Sequence, residues 1–177
     1  EQSEVIHEDR SSCWVGVNTL LPNKLVKAAI ESDYLVKELG VIIEIRQEVK
    51  YGAENRSRID LLLKPNRNSP DPRQIFLEVK NTTWELRGKG LFPDTITKRG
   101  QKHLKELMAL MPKSRGVLVP CLSRSDIDAF APGDEADPLY GKLYRQAISN
   151  GLEVIPCCFG FHKDQITWEG IRPICID

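Results

Sequence analysis

Two short strand-forming segments separated by a stretch that can only be a loop constrain this chain more than any other feature. RIDLLL (Arg58 to Leu63) and RQIFLEVK (Arg73 to Lys80) flank KPNRNSPDP, which holds three prolines and two asparagines in nine residues. The spacing predicts a long-looped antiparallel hairpin. Beyond it, Gln101, Leu104, Leu107, Met108 and Met111 recur at helical spacing over Lys98 to Met111, with Thr97 as N-cap and Pro112 as the stop. GVLVPC (Gly116 to Cys121) is apolar on both faces, as a parallel strand covered on both sides must be. A hairpin followed by a helical crossover to a buried strand predicts an α/β fold with a mixed central sheet flanked by helices.

The remaining segments fit that frame. Trp14 to Leu20 reads as a strand, and Pro22 and Asn23 open a helix whose stripe is Leu25, Val26, Ala29 and Ile30, ending at Gly40. Val41 to Tyr51 alternates, with Ile43, Ile45, Gln47, Val49 and Tyr51 on one face and charged residues on the other, which predicts a half-buried strand. SRSDIDAFAPGDEADP reads as an acidic loop, Leu139 to Asn150 as a helix closed by Gly151, and Glu153 to Phe161 and Gln165 to Ile176 as further strands. A length of 177 residues suits one such domain. No apolar run reaches the roughly 18 residues needed to span a bilayer, and the polar start EQSEVIHEDRSS is not a signal peptide. Five cysteines with no C-x-x-C spacing argue for free thiols and a cytoplasmic protein rather than a disulfide framework or a zinc ribbon.

Chemistry concentrates on the hairpin. Alternation puts Glu78 and Lys80 on one face and Leu77 and Val79 on the other, and the hairpin brings Asp60, 18 residues upstream, alongside. Two converging carboxylates suit Mg²⁺, with Mn²⁺ as an alternative, and a neighbouring lysine can orient or help deprotonate a bound water. That set fits metal-assisted phosphodiester hydrolysis; a solvated strand face with an incidental ion pair is the plainer alternative. Gln101 lies at the start of its helix's apolar stripe and either approaches the carboxylates or is a satisfied buried amide. His103 falls off that stripe and reads as a surface residue. Glu44 and Glu48 read as solvated, and Glu31 as a further acid that could join the metal site.

The zero net charge, 25 basic against 25 acidic residues, excludes binding through bulk positive charge, but it is a cancellation. Asn81 to Lys105 carries six basic residues against two acidic ones, and Leu122 to Asp137 five acidic against one basic. A basic strip beside a metal site fits a phosphate-backbone substrate. Arg58, Arg87, Lys89, Lys98, Arg99, Lys102 and His103 are the candidate nucleic-acid contacts. Trp84 and Phe92 either stack on an unpaired base or pack in the core. Neither a glycine-rich phosphate cradle followed by a helix nor a paired-carboxylate sugar site is apparent, which disfavours a sugar-metabolism enzyme.

The stretches VNTLLPNKL (Val17 to Leu25), EVKYGAENRSRIDLLL (Glu48 to Leu63), FLEVKNTT (Phe76 to Thr83) and FPDTITKRGQKHLKELM (Phe92 to Met108) closely resemble the sugar fermentation stimulation protein A family. The resemblance implies an oligonucleotide-binding barrel followed by a restriction-endonuclease-like PD-(D/E)xK domain, with DNA as partner. On that reading residues 1–12 are a remnant of, or linker from, the barrel, and 13–177 are the nuclease-like domain of a longer protein. Asp60 then matches the motif's acidic residue, Glu78 and Lys80 its (D/E)xK, Arg99, Gln101 and His103 the family's R-G-x-K-H helix, and Asn18 and Asn23 its N-T-x-x-x-N segment. The resemblance leaves two functions open: a Mg²⁺-dependent nuclease with Asp60, Glu78, Lys80 and Gln101 in its site, or a non-cleaving DNA-binding regulator of sugar-metabolism genes. It also leaves the oligomeric state open, a homodimer included.

Overall fold

The computed structural model describes residues 2–6, 12–52 and 57–176. In chain order, β1 (Gln2–Ile6) and β2 (Ser12–Gly16) precede α1 (Leu21–Glu31) and the short α2 (Val36–Leu39). β3 (Ile42–Tyr51), β4 (Ser57–Pro65) and β5 (Ile75–Thr82) follow, then the small strands β6 (Trp84–Leu86) and β7 (Lys89–Phe92). α3 (Lys98–Leu110), β8 (Arg115–Leu122), β9 (Ala129–Pro132) and α4 (Pro138–Ser149) come next, and β10 (Glu153–Val154), β11 (Cys157–Phe161) and β12 (Ile166–Ile171) close the chain.

The main sheet runs β1-β2-β11-β8-β5-β4-β3, with β10 pairing β8 and β12 pairing β11. β4 and β5 form the expected antiparallel hairpin, and β5 lies parallel to β8, with Glu78 beside Leu118 and Lys80 beside Pro120. Every residue of β8 is buried, because each face of the sheet carries its own core. On one face α1 packs Val26, Ala29 and Ile30 against Leu61, Leu63, Leu77, Val79, Val117 and Val119. On the other, α3 and α4 pack Leu104, Leu107, Tyr140 and Tyr144 against Ile59, Leu62 and Leu118. Each fully buried Leu or Ile contributes roughly 2 kcal/mol relative to exposure, so a strand enclosed on both faces anchors the fold. No helix among the described residues is long and apolar enough to cross a membrane.

Several expectations shift. Residues 2–6, in the segment expected as a polar lead-in, pair antiparallel with β2 and form the sheet's edge. The strand expected over Trp14 to Leu20 stops at Gly16, where Phe161 packs so closely that a Cβ would clash, and Asn18 turns the chain by accepting from the Leu20 N–H (3.0 Å). The single helix expected up to Gly40 is broken by Asp33, whose φ of 60° lies in the left-handed region. The basic stretch before α3 and the acidic loop after β8 are not irregular. They supply β6 with β7 and β9, which form a separate three-stranded sheet with β7 parallel to β9.

β3 departs most from its pattern. Strict alternation from Ile45, which packs on the α1 side opposite Leu63, would send Val49 to that side too, yet Val49 and Tyr51 join the α3/α4 side. Glu48 has a φ of 52°, and no ladder pair forms between Glu48 and Asp60. β4 changes face at the same place: Leu61 and Leu63 belong to one core, Ile59 to the other. A local bulge of this kind re-aims a side chain, and the residue at the break is Asp60.

Candidate functional site

Asp60 sits where β4 and β5 part. The antiparallel register pairs Leu61 with Leu77 and goes no further, and the Val79 N–H donates to Asp60 Oδ2 at 2.7 Å. The carboxylate thus takes the place of a ladder acceptor. Its Oδ1 accepts from the Asn23 side-chain amide on α1 at 3.1 Å. Burial first, then the nearby Glu78 charge, push the Asp60 carboxyl up to about 6, against the opposing Val79 N–H, Lys80 and Asn23.

Glu78 points into the α3/α4 side of the sheet at 2% exposure. Its Oε1 accepts from Lys80 Nζ at 2.7 Å and from His103 Nδ1 in a short contact. A carboxylate can only accept, so His103 presents its Nδ1–H to it. Burial pushes the Glu78 carboxyl up, but the His103 hydrogen bond and the Lys80 charge outweigh it and hold the group below the usual carboxylate range. Its other oxygen, Oε2, is buried and has no hydrogen-bond partner among the described residues. Lys80 Nζ lies 3.4 Å from His103 Nδ1 and 5.8 Å from the Phe92 ring centroid, so an aromatic face from β7 covers the ammonium. The two carboxylates therefore differ: Asp60 is easily protonated, while Glu78 is held ionised by two cationic or donor neighbours.

The other sequence-derived residues divide into two groups. Arg58, Arg87, Lys89, Lys98, Arg99 and Lys102 are all exposed, Arg58 opposite Lys50 on β3, Arg87 on the β6–β7 turn, Lys89 at the start of β7 and the rest on α3. His103, read as a surface residue, is instead buried at 4% exposure. The buried stripe of α3 is Gly100, His103, Leu104 and Leu107, rotated from the Gln101, Leu104, Met108 line. The signal was Gly100: a Cβ there would meet Thr97 Cγ2 at 2.8 Å and the Tyr140 ring at 3.1 Å, so the helix face bearing Gly100 is the packed one. Gln101 accordingly turns away from the carboxylates and donates to both oxygens of Asp137 (3.0 and 2.9 Å), the N-cap of α4. Glu31 pairs with Lys27 on the surface of α1, and Glu44 with Lys64 at 4.0 Å. Trp84 is half-buried in a cavity of about 220 Å³ with Leu91, Lys89 and Ala131, and Phe92 packs edge-on against Tyr140. All five cysteines are free thiols. Among the described residues no group of three or more His, Cys, Asp or Glu side chains is arranged to hold a metal, so any cation here would rest on two carboxylates and water.

Fold and site together define a mixed α/β protein whose central hairpin gathers an aspartate and a Glu-x-Lys pair into one buried polar cluster. The chain belongs to the sugar fermentation stimulation protein family, whose RE domain model matches residues 20–165. It is 61% identical over 173 residues to the sugar fermentation stimulation protein homolog of Prochlorococcus marinus (strain MIT 9303), covering 98% of this chain and 67% of that protein. The homolog from Synechococcus sp. (strain CC9311) is 60% identical over 175 residues, 99% of this chain and 70% of the relative. The chain thus spans about two thirds of these relatives' length. The structure of Pyrococcus furiosus SfsA in complex with Ca²⁺ superposes with a TM-score of 0.82 at 22% identity, over 98% of this chain and 76% of that one, a likeness of fold.

Proposed function

We propose that this domain is a PD-(D/E)xK-type nuclease that hydrolyses DNA phosphodiesters with Mg²⁺, or Mn²⁺ in its place. The observation that carries the reading is Glu78 Oε2, a carboxylate oxygen buried without a hydrogen-bond partner among the described residues, in a group that His103 and Lys80 favour in its ionised form. A buried charge with an idle acceptor is costly unless something positive completes it. Asp60 fits as the second ligand, since each of its oxygens has one hydrogen bond and a lone pair to spare. Hard oxygen donors suit Mg²⁺, and the Ca²⁺ bound by the Pyrococcus furiosus relative is of the same oxygen-seeking class. What such an ion supplies when bound is charge against the phosphoryl oxygen and a more acidic water.

The chain's own residues do the rest. Asp60 and Glu78 hold the ion, Asn23 and His103 fix their orientation, and Lys80 sets a positive charge beside the attacking water. The exposed Arg58, Arg87, Lys89, Lys98, Arg99 and Lys102 contact phosphates without reading bases. One observation favours the non-cleaving regulator as a second reading: Lys80 Nζ is already engaged by Glu78 Oε1.

The test incubates wild type, Glu78→Gln and Lys80→Ala with supercoiled, linear and single-stranded DNA in Mg²⁺ or Mn²⁺. Cleavage by wild type that drops on the order of 10²-fold or more in either variant supports the nuclease. Shifted but uncut DNA with every ion supports the regulator, and DNA neither cut nor shifted removes both.

A further inference from the structure

The small sheet has one packed face and one open face. On the packed face a Cβ at Gly90 would meet Ile127 Cδ1 at 2.8 Å, and Phe92 lies edge-on against Tyr140. The open face carries Trp84 and Leu86, which alternation puts on one side of β6, with Leu91 and Lys89 opposite them on β7 and Ala131 beside Leu91 on β9. Trp84 is half-buried and Leu86 is 45% exposed. These side chains line the cavity of about 220 Å³. That is smaller than the roughly 300 to 1,000 Å³ of sites for drug-sized ligands and suits one flat ring system. The indole is seated on bare backbone: a Cβ at Gly133 would meet Trp84 Cζ3 at 3.1 Å, and the Gly133 N–H is held by the Phe92 carbonyl at 2.8 Å.

The two ends of the cavity differ in charge. At the Phe92 end, Asp134 is occupied by Arg145 in two hydrogen bonds (2.8 and 2.7 Å), and the exposed Glu135 repels phosphate. At the other end of the β7–β9 ladder Lys89 is exposed, and the exposed Arg87 precedes it in a tight turn with φ of 55° at Arg87 and 78° at Gly88. The turn is tied down from both sides, because the Gly88 N–H donates to Glu85 Oε1 at 2.6 Å and the Gly88 carbonyl accepts from the Asp128 N–H at 2.8 Å. A flat apolar slot with an indole wall and two cations at one end has the chemistry of a nucleotide site, in which the base stacks and the phosphate stays with the cations. A base still paired in a duplex cannot enter it without leaving the stack.

We propose that the Trp84 cavity takes one unpaired base of a DNA strand whose phosphates run past Lys89 and Arg87. This rests on the DNA reading above and narrows the substrate class to strands that offer an unpaired base. Trp84 lies opposite Leu91, the neighbour of Phe92, and Phe92 covers Lys80 on the other face of the small sheet. A strand held in the cavity is therefore anchored directly across that sheet from the carboxylates.

Fluorescence anisotropy in EDTA compares a labelled oligodeoxyadenylate, an abasic strand with the same number of phosphates, and a blunt duplex. Wild type should bind the strand with bases about tenfold or more tightly than the abasic strand. Trp84→Leu should lose that preference while its affinity for the abasic strand and the duplex stays unchanged, and Trp84→Phe should keep most of it. Ala131→Phe, which fills the cavity and leaves the indole in place, should lose it as Trp84→Leu does, and it decides the matter if Trp84→Leu fails to fold. A preference that survives in either variant, or a wild type that binds the abasic strand and the duplex as well as the strand with bases, overturns the proposal and leaves the DNA reading standing. A wild type that binds none of the three removes the DNA reading and this proposal together. Sedimentation of the DNA-free protein tests the other occupant: a dimer that Trp84→Leu dissociates would give the face to a second copy of the chain and overturn the proposal.

Discussion

Asp60 and Glu78 are neighbours with opposite titration behaviour, and stability should record it. For Asp60 the folded-state value of about 6 lies above the ordinary 3.8, so folding favours its protonated form. Its contribution is intact below pH 4 and is lost as the pH rises through 6; at about 1.4 kcal/mol per unit the ionised group costs the apo fold roughly 2 to 3 kcal/mol at neutral pH. Asp60→Asn should therefore be more stable than wild type at pH 7.5, with the advantage disappearing toward pH 4, as urea titrations at both pH values would measure. An advantage independent of pH would mean that Asp60 ionises freely in the fold. Glu78 runs the other way: its stabilisation is present above its ordinary value and is lost as the pH falls. His103→Ala removes one buried partner of that carboxylate and should cost about 1 to 3 kcal/mol in thermal melts, whereas His103→Gln, which can still donate, should recover part of it. Asp60, Glu78 and Lys80 were legible because strand alternation and one hairpin suffice to gather them. Asn23 and His103 were not, because each reaches the site from a helix whose rotation about its axis is set by contacts such as Gly100 on Tyr140.

The helices that support the site depend on their first turns. Thr97 caps α3 by accepting from the Gly100 N–H at 3.0 Å, and Thr97→Ala should cost about 1 kcal/mol. Asp137 does more: it caps α4 at Tyr140, accepts the Thr97 N–H at 2.9 Å and takes the Gln101 amide. Asp137→Ala should thus lower the melting temperature by clearly more than Thr97→Ala, and Gln101→Ala should be silent in a variant already lacking Asp137. Comparable losses from Thr97→Ala and Asp137→Ala would show that the tie between the two helices carries little. The α3 cap was readable from Thr97 alone. The destination of Gln101 was not, since Asp137 lies 36 residues away in a segment that composition marks as loop. The same holds for β6, β7 and β9: strands of three and four residues are too short for alternation to register, and β7 and β9 exist because they pair with each other across the chain.

At the scale of the molecule, the cancelling charges are distributed unevenly, and three acidic residues of the Leu122 to Asp137 segment are engaged within the fold. Asp126 holds Arg124 (2.6 Å), Asp134 holds Arg145 (2.7 Å) and Asp137 caps a helix, whereas Arg58, Arg87, Lys89, Lys98, Arg99 and Lys102 stay exposed around the hairpin, β7 and α3. The mixed sheet that arranges them was foreseeable from the doubly apolar β8; the strand order was not, because it depends on pairings across the chain such as Phe161 with Trp14. The arrangement makes DNA binding, as proposed, a property of one side. Each phosphate neutralised releases counterions and contributes about 0.9 to the slope of log affinity against log salt, so six such contacts would give a slope of about −5. Replacing Arg99 and Lys102 by Gln should reduce that slope by about 2 and weaken binding to all sequences alike. Lys37, exposed on α2 on the opposite side of the sheet, serves as the comparison, and Lys37→Gln should leave the slope unchanged. Fluorescence anisotropy of a labelled duplex, titrated at several KCl concentrations in EDTA to prevent cleavage, measures both. Equal loss from the Lys37 variant would show that the domain attracts DNA through its whole surface, and an unchanged slope in the Arg99/Lys102 variant would place the DNA elsewhere than along α3.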